Sequence, residues 1–129
     1  MRETKMPKLP PTFKPTNYLR GMVAEVYAIL ILTLKGYRIL AWRYKTPVGE
    51  VDIVARRGRT IAFIEVKLRP DTETALYAIS PRAQQRIIRA ASHFMVSHPR
   101  FQDFSMRFDA VAISGFRLRH LDNAWQSTT

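Results

Sequence analysis

The chain has no cysteine, which excludes disulfides, iron–sulfur clusters and thiolate zinc sites together. Histidine is nearly as scarce. His93, His98 and His120 are the only three, and the five-residue step from His93 to His98 puts that pair on different helix faces, so a histidine-built metal centre is not expected. The five glycines stand singly, leaving no glycine-rich loop to cradle phosphate and no dinucleotide fingerprint. No G-x-S-x-G elbow occurs either. Acid is in short supply, with 10 Asp and Glu against 21 Lys and Arg, a formal charge of +11 and a pI near 10.7. Such an excess is silent about fold but favours a polyanionic partner, nucleic acid or an acidic membrane surface. The most apolar stretch, Met22 to Leu34, is interrupted by Glu25 and falls short of the roughly 20 residues that cross a bilayer, so no membrane span is expected. The first residues lack the apolar segment and small-residue cleavage site of a signal peptide. A cytoplasmic location is the expectation.

What is present is enough for one core: 129 residues, 47% hydrophobic and 24% charged, the size of a single domain. Residues 1–16 hold four of the eight prolines (Pro7, Pro10, Pro11, Pro15) and four basic residues against one acidic. Proline removes backbone donors and blocks regular structure, so this segment reads as a basic, flexible arm. Residues 17–129 then form one domain that is basic in its own right.

From Asn17 the apolar residues Leu19, Met22, Val23, Val26, Leu30 and Leu34 recur at helical spacing, with Gly36 as a C-terminal stop. The segment is apolar nearly all round, which predicts a largely buried helix. Three strand-like segments follow, about Tyr37 to Lys45, Glu50 to Arg56 and Thr60 to Leu68, separated by turn sequences at Thr46–Gly49 and Gly58. A second helix is predicted from the cap Ser80, with Pro81 in its first turn, to about Ser97 before Pro99. Strands over Met106–Ile113 and Arg117–Leu121 complete the order α-β-β-β-α-β-β. Tight turns make the first three strands an antiparallel meander, and the second helix returns the fourth strand parallel to the third. The expected fold class is α/β, a mixed five-stranded sheet flanked by helices.

Pairing the second and third strands locates a candidate site. With Gly58 and Arg59 as the central residues of a two-residue hairpin turn, Arg57 faces Thr60, Asp52 faces Glu65 and Glu50 faces Lys67. Alternation then puts all four ionisable groups on one face, and Val51, Ile53, Ala55, Ala62, Ile64 and Val66 on the other. Clustered carboxylates repel one another and resist ionisation when partly buried. A divalent cation relieves both problems, and oxygen donors suit Mg²⁺ or Mn²⁺. The competing reading is a plain cross-strand ion pair between Glu50 and Lys67.

Asp52 followed by Glu65-Val66-Lys67 resembles the D…(D/E)xK motif of the PD-(D/E)XK nuclease superfamily. A longer series of blocks resembles the YraN-like family of small bacterial proteins: Gly21-x-x-Ala24-Glu25, Lys35-Gly36-Tyr37-Arg38-Ile39-Leu40, Gly49-Glu50-Val51-Asp52, Phe63-Ile64-Glu65-Val66-Lys67, Pro81-Arg82-x-Gln84 and Arg107-Phe108-Asp109. That family is regarded as nuclease-like and is similar to archaeal Holliday-junction resolvases. The resemblance implies a restriction-endonuclease-like core and a metal-dependent DNA endonuclease, acting on branched or otherwise structured DNA. It implies metal ligation by Asp52 and Glu65, Lys67 beside the attacking water, and Glu25 as the helix carboxylate near the metal; Glu50, placed on the same face by the strand register, is expected to assist. A homodimer is suggested by analogy with resolvases. The alternative is a nuclease-fold module that binds nucleic acid or protein without cutting.

Glu25 is the only acid in its helix; it is either buried with a partner or lies on an exposed edge near Arg20. In the second helix Arg82, Arg86, Arg89 and His93 form one stripe, which either tracks phosphates or is a solvated face. Arg56, Arg57 and Arg59 are a second candidate basic patch, and the resemblance brings Gln84 towards the active-site edge. Asp109, in an apolar strand, is either a structural ion-pair partner, of Arg107 or of a neighbouring strand, or a support to the site residues, and the structural reading is favoured. Trp42, Tyr44 and Trp125 either stack bases or pack in the core.

Overall fold

The computed structural model describes residues 15–127, so the predicted arm over residues 1–16 lies almost wholly outside the described residues. The elements are α1 (Pro15–Leu34), β1 (Arg38–Thr46), β2 (Gly49–Arg57), β3 (Thr60–Leu68), α2 (Thr72–Tyr77), α3 (Pro81–Ser97), a 3₁₀ turn (Pro99–Phe101), β4 (Ser105–Ser114) and β5 (Arg117–Trp125). The strands lie in the order β1-β2-β3-β4-β5. β3 and β4 are parallel and the other neighbours antiparallel, which is the topology expected from turn lengths and the crossover rule. β5 runs on to Trp125, past the expected Leu121.

Alternation along the central strands builds two apolar layers. Ile53, Ala55, Ala62, Ile64 and Val66 pack with α1, and Val54, Ile61 and Phe63 pack with Ile87, Ala91 and Phe94 of α3. Helix α3 starts where its capping chemistry requires, with the Ser80 side chain accepting from the Ala83 N–H and Pro81 in the first turn. The two-residue loop Gly58–Arg59 closes the β2–β3 hairpin. Gly58 has φ +59° there, the left-handed value that a primed hairpin turn needs at its first central position.

Two expectations are corrected. Helix α1 is not largely buried. Only Ala24, Ala28 and Leu32 are buried, while Leu19, Val23, Val26, Leu30 and Leu34 are exposed. The small side chains let α1 sit close to the sheet, and the large ones point away from it. The 18 residues Asn17–Leu34 are long and apolar enough to cross a membrane by length and composition, with 17% of them buried in the fold. The second correction is α2, a six-residue helix in a segment expected to be a loop. Asp71 caps it, accepting from the Thr74 N–H at 2.7 Å and the Thr74 hydroxyl at 2.8 Å, and these bonds hold the Asp71 carboxyl below the ordinary carboxylate range.

The β1–β2 turn is pressed against α3. A Cβ at Gly49 would collide with the Arg86 carbonyl and stand 3.3 Å from the Ala90 backbone nitrogen. Both are helix backbone, which cannot swing aside as a side chain can. Gly49→Ala is therefore expected to destabilise the fold by about 3 kcal/mol, read as a lowered midpoint in urea. An unchanged midpoint would mean that α3 does not bear on the turn.

Candidate active site

The β2–β3 ladder runs from Arg57↔Thr60 to Ile53↔Ile64, the register expected from the turn. It breaks one residue later. The Asp52 carboxylate replaces a backbone carbonyl as acceptor, taking the Val66 N–H at 2.8 Å. On the other side of β2, Trp42↔Ile53 and Tyr44↔Val51 flank Arg43 opposite Asp52, and Arg43 has φ 55°, uncommon outside glycine. The strands twist out of simple alternation at this step. Val51 joins the α3-side layer while Ile53 stays in the α1-side layer, so the expectation that both share one face is overturned.

This irregularity brings Asp52 against Glu65. The Asp52 carboxyl is pushed up to about 8, first by burial, then by its hydrogen bond and charge repulsion with Glu65; the Val66 N–H pulls the other way and the more distant Glu25 charge adds a little. At neutral pH Asp52 therefore keeps its proton. Lys67 Nζ lies 3.4 Å from Glu65 Oε2, and both side chains are largely covered.

Glu50 does not join them. It pairs with Lys45 across β1–β2 and accepts from Arg86 Nη2 of α3 at 2.8 Å, both side chains half exposed, so the expected Glu50–Lys67 pairing is not formed. Arg86 wins because α3 is held hard against the β1–β2 turn. Three converging carboxylates were expected and two converge; among the described residues no group of three or more His, Asp or Glu is placed to share a metal ion.

Glu25, from α1, is partly buried and has partners. Its Oε1 accepts from Trp42 Nε1 at 2.7 Å and Arg43 Nε at 2.9 Å. Arg43 also donates to the Tyr18 hydroxyl at 3.1 Å, and the Glu25 carboxylate is the main reason that its guanidinium is held above its ordinary pKa. A cleft of about 190 Å³ is lined by Glu25, Arg43, Lys45, Glu50, Val51 and Asp52. Lys67 opens on a second basin, about 690 Å³, whose rim includes Arg20 and Arg69. Arg43, Lys45, Arg20 and Arg69 were not singled out from the sequence. An arginine set between Trp42 and Tyr44, after the apolar run Ile39–Trp42, was the one available signal.

The predicted basic residues separate into two groups. Arg82, Arg86 and Arg89 line a cleft of about 480 Å³ with the β1–β2 turn, next to the carboxylates through the Arg86–Glu50 contact. Arg56, Arg57 and Arg59 sit at the closed end of the hairpin, roughly 15 Å along β2 from Asp52 at ~3.3 Å per residue. Their guanidiniums lie over aromatic rings, Arg56 and Arg59 on Phe104 at 4.8 and 4.7 Å and Arg57 on Tyr37 at 4.6 Å. Gln84 turns back, its Nε2 donating to the Ile79 carbonyl at 3.2 Å, and does not reach the carboxylates.

Asp109 is structural, as its strand context suggested. It is fully buried, and accepts from Arg107 at 2.8 Å twice, from His120 Nε2 at 2.8 Å and from the Asn123 N–H at 3.0 Å. Burial alone would raise its pKa, but the bonds from His120, Arg107 and Asn123 together hold it below the ordinary carboxylate range. Tyr44 and Trp125 pack against the α3-side core, Tyr44 edge-on to Phe94 and Trp125 stacked on Phe108, while Trp42 is tied to Glu25. Tyr44 and Trp125 are therefore core residues, whereas Trp42 keeps 42% of its surface exposed.

A five-stranded mixed sheet with a helix on either face, carrying a carboxylate pair and a lysine where two central strands part, is consistent with a restriction-endonuclease-like α/β fold. Within that class the chain belongs to the uncharacterised protein family UPF0102, whose model matches residues 24–113. It is 49% identical over 110 residues to a UPF0102 protein of Parvibaculum lavamentivorans, covering 84% of this chain and 83% of the relative. It is 47% identical over 124 residues to one of Bradyrhizobium diazoefficiens, covering 95% and 93%, and 45% identical over 130 residues to one of Rhodopseudomonas palustris, covering 99% of each.

Proposed function

We propose that this protein is a divalent-cation-dependent endonuclease that hydrolyses phosphodiester bonds in DNA, with Mg²⁺ or Mn²⁺ held by Asp52 and Glu65. The observation that supports it is the geometry where β2 and β3 part: the Asp52 carboxylate, anchored on the Val66 N–H at 2.8 Å, stands beside Glu65, with Lys67 Nζ 3.4 Å from Glu65 Oε2; burial and the Glu65 charge push the Asp52 carboxyl up. An all-oxygen donor set of this kind suits a hard dication, which relieves the repulsion between the two carboxyls. When bound, the ion supplies Lewis-acid stabilisation of phosphoryl charge and a more acidic water.

The chain's own residues have separate tasks. Asp52 is aimed by its bond from the Val66 N–H, which engages one carboxylate oxygen. Lys67, beside Glu65, offers an ammonium to a nucleophilic water or to developing negative charge. Glu25 is fully engaged by Trp42 and Arg43, so it acts by fixing Arg43 and the irregular step of β1 rather than as a free base. Glu50 assists from the rim, exchanging Arg86 for solvent or substrate. The arginines of α3 meet the phosphate backbone, and guanidinium forks fit phosphate oxygens well. Branched or otherwise structured DNA is the proposed substrate form, and the cytoplasm the proposed location.

One observation favours the rival reading, a module that binds nucleic acid without cutting: Glu50 is taken by Arg86, leaving two carboxylates instead of three. Incubation with single-stranded, duplex, flap and four-way DNA in Mg²⁺ or Mn²⁺ separates the two. The expected result is cleavage of at least one substrate, stopped by a chelator. Retention of DNA with no cleavage of any substrate in either ion would replace the nuclease by the binding module.

A further inference from the structure

We infer that the outer face of α1 is a homodimer interface, covered by the α1 helix of a second copy of this chain. The helix turns its large apolar residues the wrong way for a monomer. Ala24 and Ala28 face the sheet, while Leu19 and Leu30 are each 58% exposed, Val23 66% and Leu34 83%. Leu19, Val23, Val26 and Leu30 follow one another at intervals of four, three and four, which places them on one narrow stripe and matches the seam of paired helices. Leu34 extends that stripe to the helix end.

The stripe continues onto a neighbouring projection. Phe116, in the β4–β5 turn, is 94% exposed, and its carbonyl accepts from the Tyr27 hydroxyl of α1 at 2.8 Å. Between them lies an apolar groove of about 460 Å³, lined by Val23, Tyr27, Leu68, Ile113 and Phe116 among others. Ridge and groove are on the same surface, as a two-fold interface between identical chains requires.

Size and charge point to the same occupant. Monomers rarely expose contiguous apolar patches beyond a few hundred Å², whereas the α1 stripe with Phe116 presents on the order of the 800 Å² that each partner gives to a standard interface. On a chain of net charge +11, the five stripe residues carry no charge, and Arg20 is the one charged residue that lines the groove. A membrane surface is the other apolar partner of such a helix, but surface-bound helices carry a Lys- and Arg-rich polar face. Within α1, Arg20 is the single basic residue.

Sedimentation equilibrium tests the interface. The wild-type chain is expected as a dimer at micromolar concentration, and Val23→Glu and Leu30→Glu as monomers with unchanged far-ultraviolet circular dichroism, since both positions are exposed. Because the chain has no cysteine, Val26→Cys adds a single thiol; oxidation is expected to cross-link it to a covalent dimer, while Tyr77→Cys, exposed elsewhere, is not. A wild-type monomer across the concentration range would overturn the inference, as would dimers that survive both Glu substitutions. A monomer that instead co-sediments with phosphatidylglycerol vesicles through the same stripe would overturn it too, assigning the face to a lipid surface. These outcomes do not depend on cleavage, so they stand or fall apart from the nuclease proposal.

Discussion

Asp52→Ala and Glu65→Ala are each expected to reduce cation-dependent DNA cleavage by about 10³-fold or more, with DNA binding retained. Each removes half of the carboxylate pair, and no third carboxylate is placed to substitute, because Glu50 is drawn to Arg86 and Glu25 to Arg43. Binding persists because the α3 arginines lie in a different cleft. Asp52→Ala also orphans the Val66 N–H, which adds a structural effect to the chemical one. Asp52→Asn keeps an oxygen acceptor for that N–H while removing the charge, and is expected to be just as inactive. Cleavage that survives Asp52→Asn and Glu65→Ala at near wild-type rate would remove both residues from the chemistry.

The second large effect is on stability as a function of pH. In the folded, cation-free protein Asp52 keeps its proton up to about pH 8, against an ordinary value of 3.8. Between those limits the unfolded chain has lost the proton and the folded chain has not. Unfolding therefore releases a proton, and stability falls as pH rises, by at most ~1.4 kcal/mol per pH unit from this group. The contribution is fully present below the unfolded pKa and is lost as the pH passes the folded one. Asp52→Asn removes the titration, so urea unfolding of the two proteins should give similar midpoints near pH 4 and a gap favouring the variant that widens to several kcal/mol by pH 8. Asp109 has the opposite sign; it is held low, so its contribution is lost only as pH falls below the ordinary carboxylate range. Saturating Mn²⁺ should close the gap at pH 8 by stabilising only the wild type. Parallel pH profiles for the two proteins would mean that Asp52 ionises normally in the fold.

The hairpin was legible because its information is local. A glycine in a two-residue loop sets the register as far as Ile53↔Ile64, which is enough to bring Asp52 near Glu65, and the irregular step beyond it completes the contact. Helix α3 was legible for the same reason, through Ser80 and Pro81. What escaped depends on contacts between distant segments. The left-handed Arg43 has no sequence signature, yet it faces the step where Val51 changes layers. Glu50 is opposite Lys45 and within reach of Arg86 only because Gly49 lets α3 approach. In α1 the apolar period is nearly all round, so it cannot say which side meets the sheet; the small residues Ala24 and Ala28 decided that. Helix α2 is six residues long, too short for periodicity to register.

The ion itself can be sought where Asp52 meets Glu65. A crystal soaked in Mn²⁺ and measured at a wavelength with strong manganese anomalous scattering should show a peak bonded to oxygens of both carboxylates, their direct contact replaced by the ion. A map with no anomalous density there, and the two carboxyls still in direct contact, would contradict the assignment of a metal centre to this pair.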